Sequence, residues 1–182
     1  SAGASLAATL YGLPCTILLN GPLGAGKTTF LQGFSKALGI REQLTSPTYA
    51  LEQRYRTSAG IEFLHLDFYR LQSHQAAELL HATHDHTGIR CIEWSDRVSK
   101  DATGEGCIAL EMSEKADGRM LHIVFDDMRM PTDDHIKKWR NDAMLPPHIE
   151  DHCDAVATVC ETLAQFLIEK GIIVRVTALK RA

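Results

Sequence analysis

The sequence predicts an α/β fold: a mixed sheet flanked by helices, carrying antiparallel hairpins, with a helical extension at the C-terminal end. Three observations lead there. A short apolar run, Thr16-Ile17-Leu18-Leu19-Asn20, passes through a glycine-rich turn into a helical stretch, Thr29 to Leu38. Strand-like segments joined by short polar turns follow twice, between Tyr49 and Leu66 and between Cys107 and Phe125. Near Met130 the pattern changes, and only helical periodicity remains.

The elements can be justified in order. Leu6, Ala7 and Leu10 give a short apolar stripe ahead of Gly12, which reads as an opening helix. Thr16 to Asn20 reads as a buried strand, and Thr29 to Leu38 as a helix closed by Gly39. Arg41 to Thr48 is a polar loop; Pro47 pushes Ser46 into extended backbone. Tyr49 to Tyr55 alternates as a strand, Thr57 to Gly60 is a turn, and Ile61 to Leu66 returns as the antiparallel partner. A helix is expected from Gln75 to about Ala82, then an apolar strand, Ile89 to Ile92. Cys107 to Met112 and Arg119 to Phe125 form the second hairpin across Glu114 to Gly118. Beyond it, Asp133 to Asn141 reads as an exposed helix. Ile149 to Lys170 reads as a long amphipathic one, with Ile149, Cys153, Val156, Val159, Cys160, Leu163 and Leu167 on one stripe. A boundary near residue 130 divides the chain into 1–130 and 131–182.

Composition sets limits. At 182 residues the chain holds one full domain and part of another, and 45% hydrophobic residues is ordinary for a globular protein. A net charge of -4 argues against a broad nucleic-acid surface. The five cysteines are scattered and odd in number, without a C-x-x-C pair, which reads as reduced thiols in a cytoplasmic protein. No apolar run approaches the roughly 20 residues that span a membrane, so no membrane partner is expected. The chain starts at Ser1 rather than at methionine, which points to trimming, a tag scar or residues upstream.

The turn after the first strand is Gly21-Pro22-Leu23-Gly24-Ala25-Gly26-Lys27-Thr28, a full match to G-x-x-x-x-G-K-[ST]. Such a turn aims backbone N–H groups at one point, where the dipole of the following helix also favours an anion. Lys27 adds a charge at the outer phosphates, and the Thr28 hydroxyl suits Mg²⁺. A P-loop NTPase-type fold with a bound nucleoside triphosphate is therefore expected. Mg²⁺ needs hard oxygen ligands, and parallel-sheet nucleotide sites take them from strand ends. Asp67 and Glu93 each stand at the end of an apolar strand, and spacing does not say which meets metal and which positions water. Ser46-Pro47-Thr48 is a hydroxyl-rich loop where a γ-phosphate-sensing switch would lie.

The words Gly21 to Thr29, Ser46-Pro47-Thr48-Tyr49, His65-Leu66-Asp67-Phe68-Tyr69-Arg70, Ile92-Glu93-Trp94 and Gly118-Arg119 occur in this order. Together they resemble the TsaE family, the P-loop ATPases of bacterial tRNA threonylcarbamoyladenosine synthesis, over roughly residues 4 to 126. The resemblance implies that Gly24, Ala25, Gly26, Lys27, Thr28 and Thr29 hold ATP, and that Thr28 and Glu93 bind Mg²⁺. It places Asp67 at the nucleotide and makes it necessary for hydrolysis, with Lys27, Glu93 and Thr48 as the other catalytic candidates. Gly118 and Arg119 approach the nucleotide, Trp94 lies beside the site, and the Ser46 to Thr48 loop is a switch. It also implies TsaB and TsaD as partners, with tRNA reached through their complex. Pro22 stands where the family usually has an acid, and a nucleotide contact that the family makes from upstream of Ser1 cannot be assigned.

Other readings compete. A small-molecule or nucleoside kinase would carry a lid of several arginines, but Arg54, Arg56, Arg70, Arg90 and Arg97 are dispersed. A third reading is a nucleotide-gated interaction module in which hydrolysis is incidental. His81, His84, Asp85 and His86 lack a firm ligand spacing and read as solvated loop residues. The tail from Leu145-Pro146-Pro147-His148 through His152 has two readings: a helical appendage, or the opening of an HD-type phosphohydrolase domain whose His-Asp pair is missing before Ala182.

Overall fold

In the computed structural model, which describes residues 1–10, 12–103 and 106–181, the chain divides into two compact units, Ser1–Met128 and Arg129–Ala182. The first opens with α1 (Ala2–Ala7), capped by the Ser1 hydroxyl. Then come β1 (Cys15–Asn20), α2 (Lys27–Ala37), β2 (Glu52–Arg56), β3 (Glu62–Asp67), α3 (Ser73–Ala82) and β4 (Ile89–Glu93). A 3-10 turn at Ser95–Arg97, α4 (Lys100–Thr103), β5 (Cys107–Lys115) and β6 (Gly118–Phe125) complete it.

The strands form a six-stranded sheet in the order β2-β3-β4-β1-β5-β6. The four central strands are parallel, and β2 and β6 join the edges antiparallel. The central strands are apolar on both faces, as a sheet covered on two sides requires. Ile17, Leu19, Phe63, Leu64, Leu66, Cys91 and Ile92 are buried, and Phe34 of α2 packs beside Phe63 with ring centroids 6.1 Å apart. The β2 edge is polar. Arg54 on β2 reaches Glu52 at 2.6 Å and Glu62 of β3 at 2.9 Å, which leaves a charged rim that discourages further strand pairing.

Register positions the functional groups. Leu19 of β1 lies opposite Glu93, and Asp67 of β3 also lies opposite Glu93. Both acids therefore emerge at the C-terminal edge of the parallel strands, beside the loop leaving β1, where open α/β sheets bind ligands.

Two sequence expectations change. The alternation from Tyr49 does not make a strand before Glu52. Leu51 has φ 65 and its N–H bonds to Pro47 O at 2.5 Å, so residues 48–51 turn and Tyr49 stands exposed. The second hairpin is longer than expected, with Lys115 opposite Gly118 and only Ala116 and Asp117 in its turn.

The second unit holds α5 (Asp133–Asp142), α6 (Pro147–Glu169) and α7 (Val176–Arg181). Thr132 and His135 cap α5 reciprocally, and Pro147 starts α6 at a position where a missing N–H costs nothing. Arg140 bonds to Asp154 at 2.7 Å and ties α5 to α6. The stripe expected on α6 is covered only along one border: Cys160 and Leu167 are partly buried beside Ala157 and the fully buried Ala164, while Val156, Val159 and Leu163 are exposed. Periodicity shows that a helix has an apolar face but not what covers it. Among the cysteines, Cys15 and Cys91 are buried, Cys153 is exposed, and none of the five forms a disulfide. No described helix is long and apolar enough to cross a membrane.

Candidate nucleotide site

The loop leaving β1 bends sharply because its glycines allow it. Gly26 has φ 101, and a Cβ there would come within 2.5 Å of an Arg119 guanidinium nitrogen. Gly21 has φ 134, and a Cβ there would collide with the Met112 carbonyl. Only glycine serves at these two positions. Gly26 is also the N-cap of α2, with no side chain bonded to the helix end. The first turn of α2, Lys27 to Thr29, thus lines a cavity of about 270 Å³, with Gly24 and Gly26 beside it. An unclaimed helix N-terminus with a glycine turn is a ready anion cradle.

The opposite wall comes from the strand ends. Glu93 is 3% exposed, and its carboxylate accepts the Thr28 hydroxyl at 2.8 Å and 3.1 Å, one distance to each oxygen. Asp67 is 1% exposed and fully engaged. Its Oδ1 accepts the Tyr69 N–H at 2.9 Å, and its Oδ2 accepts Ser46 Oγ at 2.8 Å and Thr48 Oγ1 at 2.6 Å. The Ser46 and Thr48 hydroxyls are themselves 2.7 Å apart. The Ser-Pro-Thr loop is therefore latched to the strand-end acid at the cavity wall.

Lys27 is buried in the middle. Its ammonium donates to Gly21 O at 2.7 Å and Pro22 O at 3.0 Å, and lies 3.9 Å from the centre of the Trp94 ring. Burial pushes its pKa below the ordinary lysine value, and the charges of Glu93 and Asp67 pull it back up. Trp94 is set by a left-handed turn at φ 59 and by its N–H to Leu19 O at 2.9 Å. Asn20 steadies that turn by accepting Ser95 Oγ at 2.9 Å and the Asp96 N–H at 3.0 Å. Trp94 packs on Tyr69 with centroids 4.9 Å apart, lining the cavity on one side and packing against the apolar cluster that includes Leu66, Phe68 and Ile92.

Of the residues singled out in the sequence, Gly24, Gly26, Lys27, Thr28, Thr29, Thr48, Asp67, Glu93 and Arg119 all line this one cavity. Ala25 is buried and Gly118 sits at the exposed tip of the β5–β6 hairpin, so neither forms the wall. His81 and His84 are exposed, stacked 5.6 Å apart, and away from the cavity lining. Tyr69 lines the cavity without having been proposed for a role. His65, fully buried, holds Glu93 Oε1 at 3.0 Å from its Nε2. Its place two residues before Asp67 on the same strand was the available signal, since side chains two apart share a face.

The donor set suits Mg²⁺. A hydroxyl and a carboxylate within hydrogen-bond distance are hard oxygen ligands that fit within one coordination sphere. No cluster of three or more His, Cys, Asp or Glu able to hold a metal occurs among the described residues.

The family model described as threonylcarbamoyl adenosine biosynthesis protein TsaE matches residues 1–121. A Nostoc sp. protein named tRNA threonylcarbamoyladenosine biosynthesis protein TsaE is 44% identical over 87 residues, covering 45% of this chain and 53% of that protein. A Treponema pallidum protein of the same name is 35% identical over 108 residues, covering 56% of this chain and 75% of the relative. The chain thus spans about half the length of the first relative and three-quarters of the second. A crystal structure of Bacillus subtilus YdiB aligns with a TM-score of 0.49 at 24% identity, covering 69% of this chain and 77% of that one. With its phosphate loop, its strand-end acids and residues 1–121 all inside the matched family model, the chain belongs to the TsaE family.

Proposed function

We propose that the chain is a Mg²⁺-dependent ATPase that supports threonylcarbamoyl transfer to adenosine of tRNA, working with TsaB and TsaD. The observation that carries the ATPase reading is the convergence of Lys27, Thr28, Asp67 and Glu93 on one cavity at the sheet edge. The tRNA role rests on family membership. Gly24, Gly26 and the first turn of α2 would cradle the phosphates, and Lys27 would offset charge gathering on the γ-phosphate oxygens. Thr28 and Glu93 would hold Mg²⁺, which when bound neutralises the β- and γ-phosphates. Asp67 would orient the attacking water, and the Ser46 and Thr48 hydroxyls would keep its carboxylate aimed. Arg119 would add a second positive charge from the β5–β6 hairpin.

Arg119 is the arginine on the cavity wall among the described residues, which supports hydrolysis over the multi-arginine lid of a small-molecule kinase. We propose that residues 131–182 are a helical extension outside the nucleotide chemistry. The test is ATP turnover by the chain alone and with TsaB and TsaD, together with threonylcarbamoyladenosine levels in cells lacking the protein. A slow basal rate that rises with the complex, and loss of the modification in the cells, are expected. A rate indifferent to the complex, with normal tRNA, would remove the proposal.

A further inference from the structure

The Glu93 carboxylate is held from two sides. The Thr28 hydroxyl approaches from the cavity, and His65 approaches from inside the sheet, with Nε2 3.0 Å from Oε1. His65 is 0% exposed, paired in register with Cys91 of β4 on one side and Gln53 of β2 on the other. A histidine here is costly. Its Nδ1 is buried and finds no hydrogen-bond partner, so one of its two ring nitrogens is left unsatisfied. An apolar side chain would fill the same site between the strands without that cost. Unsatisfied polar atoms in a native core call for an explanation, and here the other nitrogen supplies it. Only the tautomer with hydrogen on Nε2 gives an ionised Glu93 a donor, and that tautomer leaves on Nδ1 a lone pair rather than an N–H.

We infer that His65 is a positioning residue for the metal carboxylate. By holding Oε1 from within the sheet, it fixes the rotation of Glu93 so that the carboxylate meets Thr28 and the cation in one orientation. His65 touches neither nucleotide nor metal; it acts through Glu93. Partners behind a ligating carboxylate commonly change metal affinity by about 10-fold or more when lost. The inference rests on the nucleotide reading of the cavity.

The experiment measures Mn²⁺ binding to the full chain with ADP present by electron paramagnetic resonance, and ADP binding without metal by calorimetry. His65→Leu is expected to weaken Mn²⁺ by about 10-fold while metal-free ADP affinity stays at the wild-type value. His65→Gln places an amide N–H where Nε2 lies and should restore Mn²⁺ binding. His65→Asn, whose amide reaches only the Nδ1 position, should behave like His65→Leu. If His65→Leu fails to fold, the Gln–Asn contrast decides alone. Equal Mn²⁺ affinity in all folded variants, or a Gln variant as weak as Asn, would overturn the inference while leaving the nucleotide site intact. A wild-type chain that binds neither ADP nor Mn²⁺–ADP would overturn the nucleotide reading and this inference together.

Discussion

The two units bury different things. In residues 1–128 the sheet encloses Lys27, His65, Asp67, Glu93 and Ser95, all at most 5% exposed, together with a continuous apolar core. In residues 129–182 the buried side chains among the described residues are Ala164 and Arg175, while Trp139, Val156, Val159, Leu163 and Phe166 stay exposed. A sheet with helices on its faces can surround charged groups and supply the hydrogen bonds that they require. The three helices of the second unit bury one alanine and one arginine among the described residues, and units this small bury too little to be very stable. Chemistry has accumulated where burial can hold charges in place.

This contrast can be broken by mutation. The largest expected effect is on stability: Phe63→Ala should cost about 3–5 kcal/mol in denaturant unfolding, because it empties the middle of the sheet. A loss below about 1 kcal/mol would mean that the core described is not the one holding the unit together. Next comes Lys27→Ala, expected to lower ATP turnover by about 10²–10³-fold while the thermal transition stays near wild type. A third test sharpens the role of the latch. Thr48→Val removes a hydrogen bond to a buried carboxylate, worth roughly 1.5–3 kcal/mol, and should lower turnover by about 10-fold or more. The smallest effect belongs to the second unit. Val159→Ala on the open face of α6 should shift unfolding by no more than about 0.5 kcal/mol and leave turnover untouched. A large loss there would show that this face is covered in solution.

Legibility in the sequence followed the range of the interactions. The β1–loop–α2 unit was readable because its determinants lie within a few residues: apolar strand, glycines, lysine, threonine, then helical period. Asp67 and Glu93 were readable as strand-end acids, and the words around them identified the family. The partners each acid meets were not, since Thr28 reaches Glu93 and Ser46 and Thr48 reach Asp67 across the sheet edge. The turn at residues 48–51 was hidden for the same reason. Tyr49, Leu51, Gln53 and Tyr55 alternate like a strand, but the tie from Thr48 to Asp67 and the positive φ of Leu51 override the pattern. That the Trp94 ring lies over Lys27 was not readable either, because it depends on a left-handed turn at Trp94. In α6 the period was right and the covered face was right only in part, because burial there centres on Ala164 and reaches Cys160 and Leu167 but not Val156, Val159 or Leu163.

In the proposed reading, the Thr28–Glu93 pair completes a Mg²⁺-dependent hydrolytic site in residues 1–128. Its most direct test is ATP turnover by the full chain carrying Glu93→Gln, which keeps shape and removes charge, measured across a Mg²⁺ titration. The expected result is a rate about 10²-fold or more below wild type, with a higher Mg²⁺ requirement. A Glu93→Gln chain that turns over ATP at the wild-type rate with the wild-type Mg²⁺ dependence would contradict it.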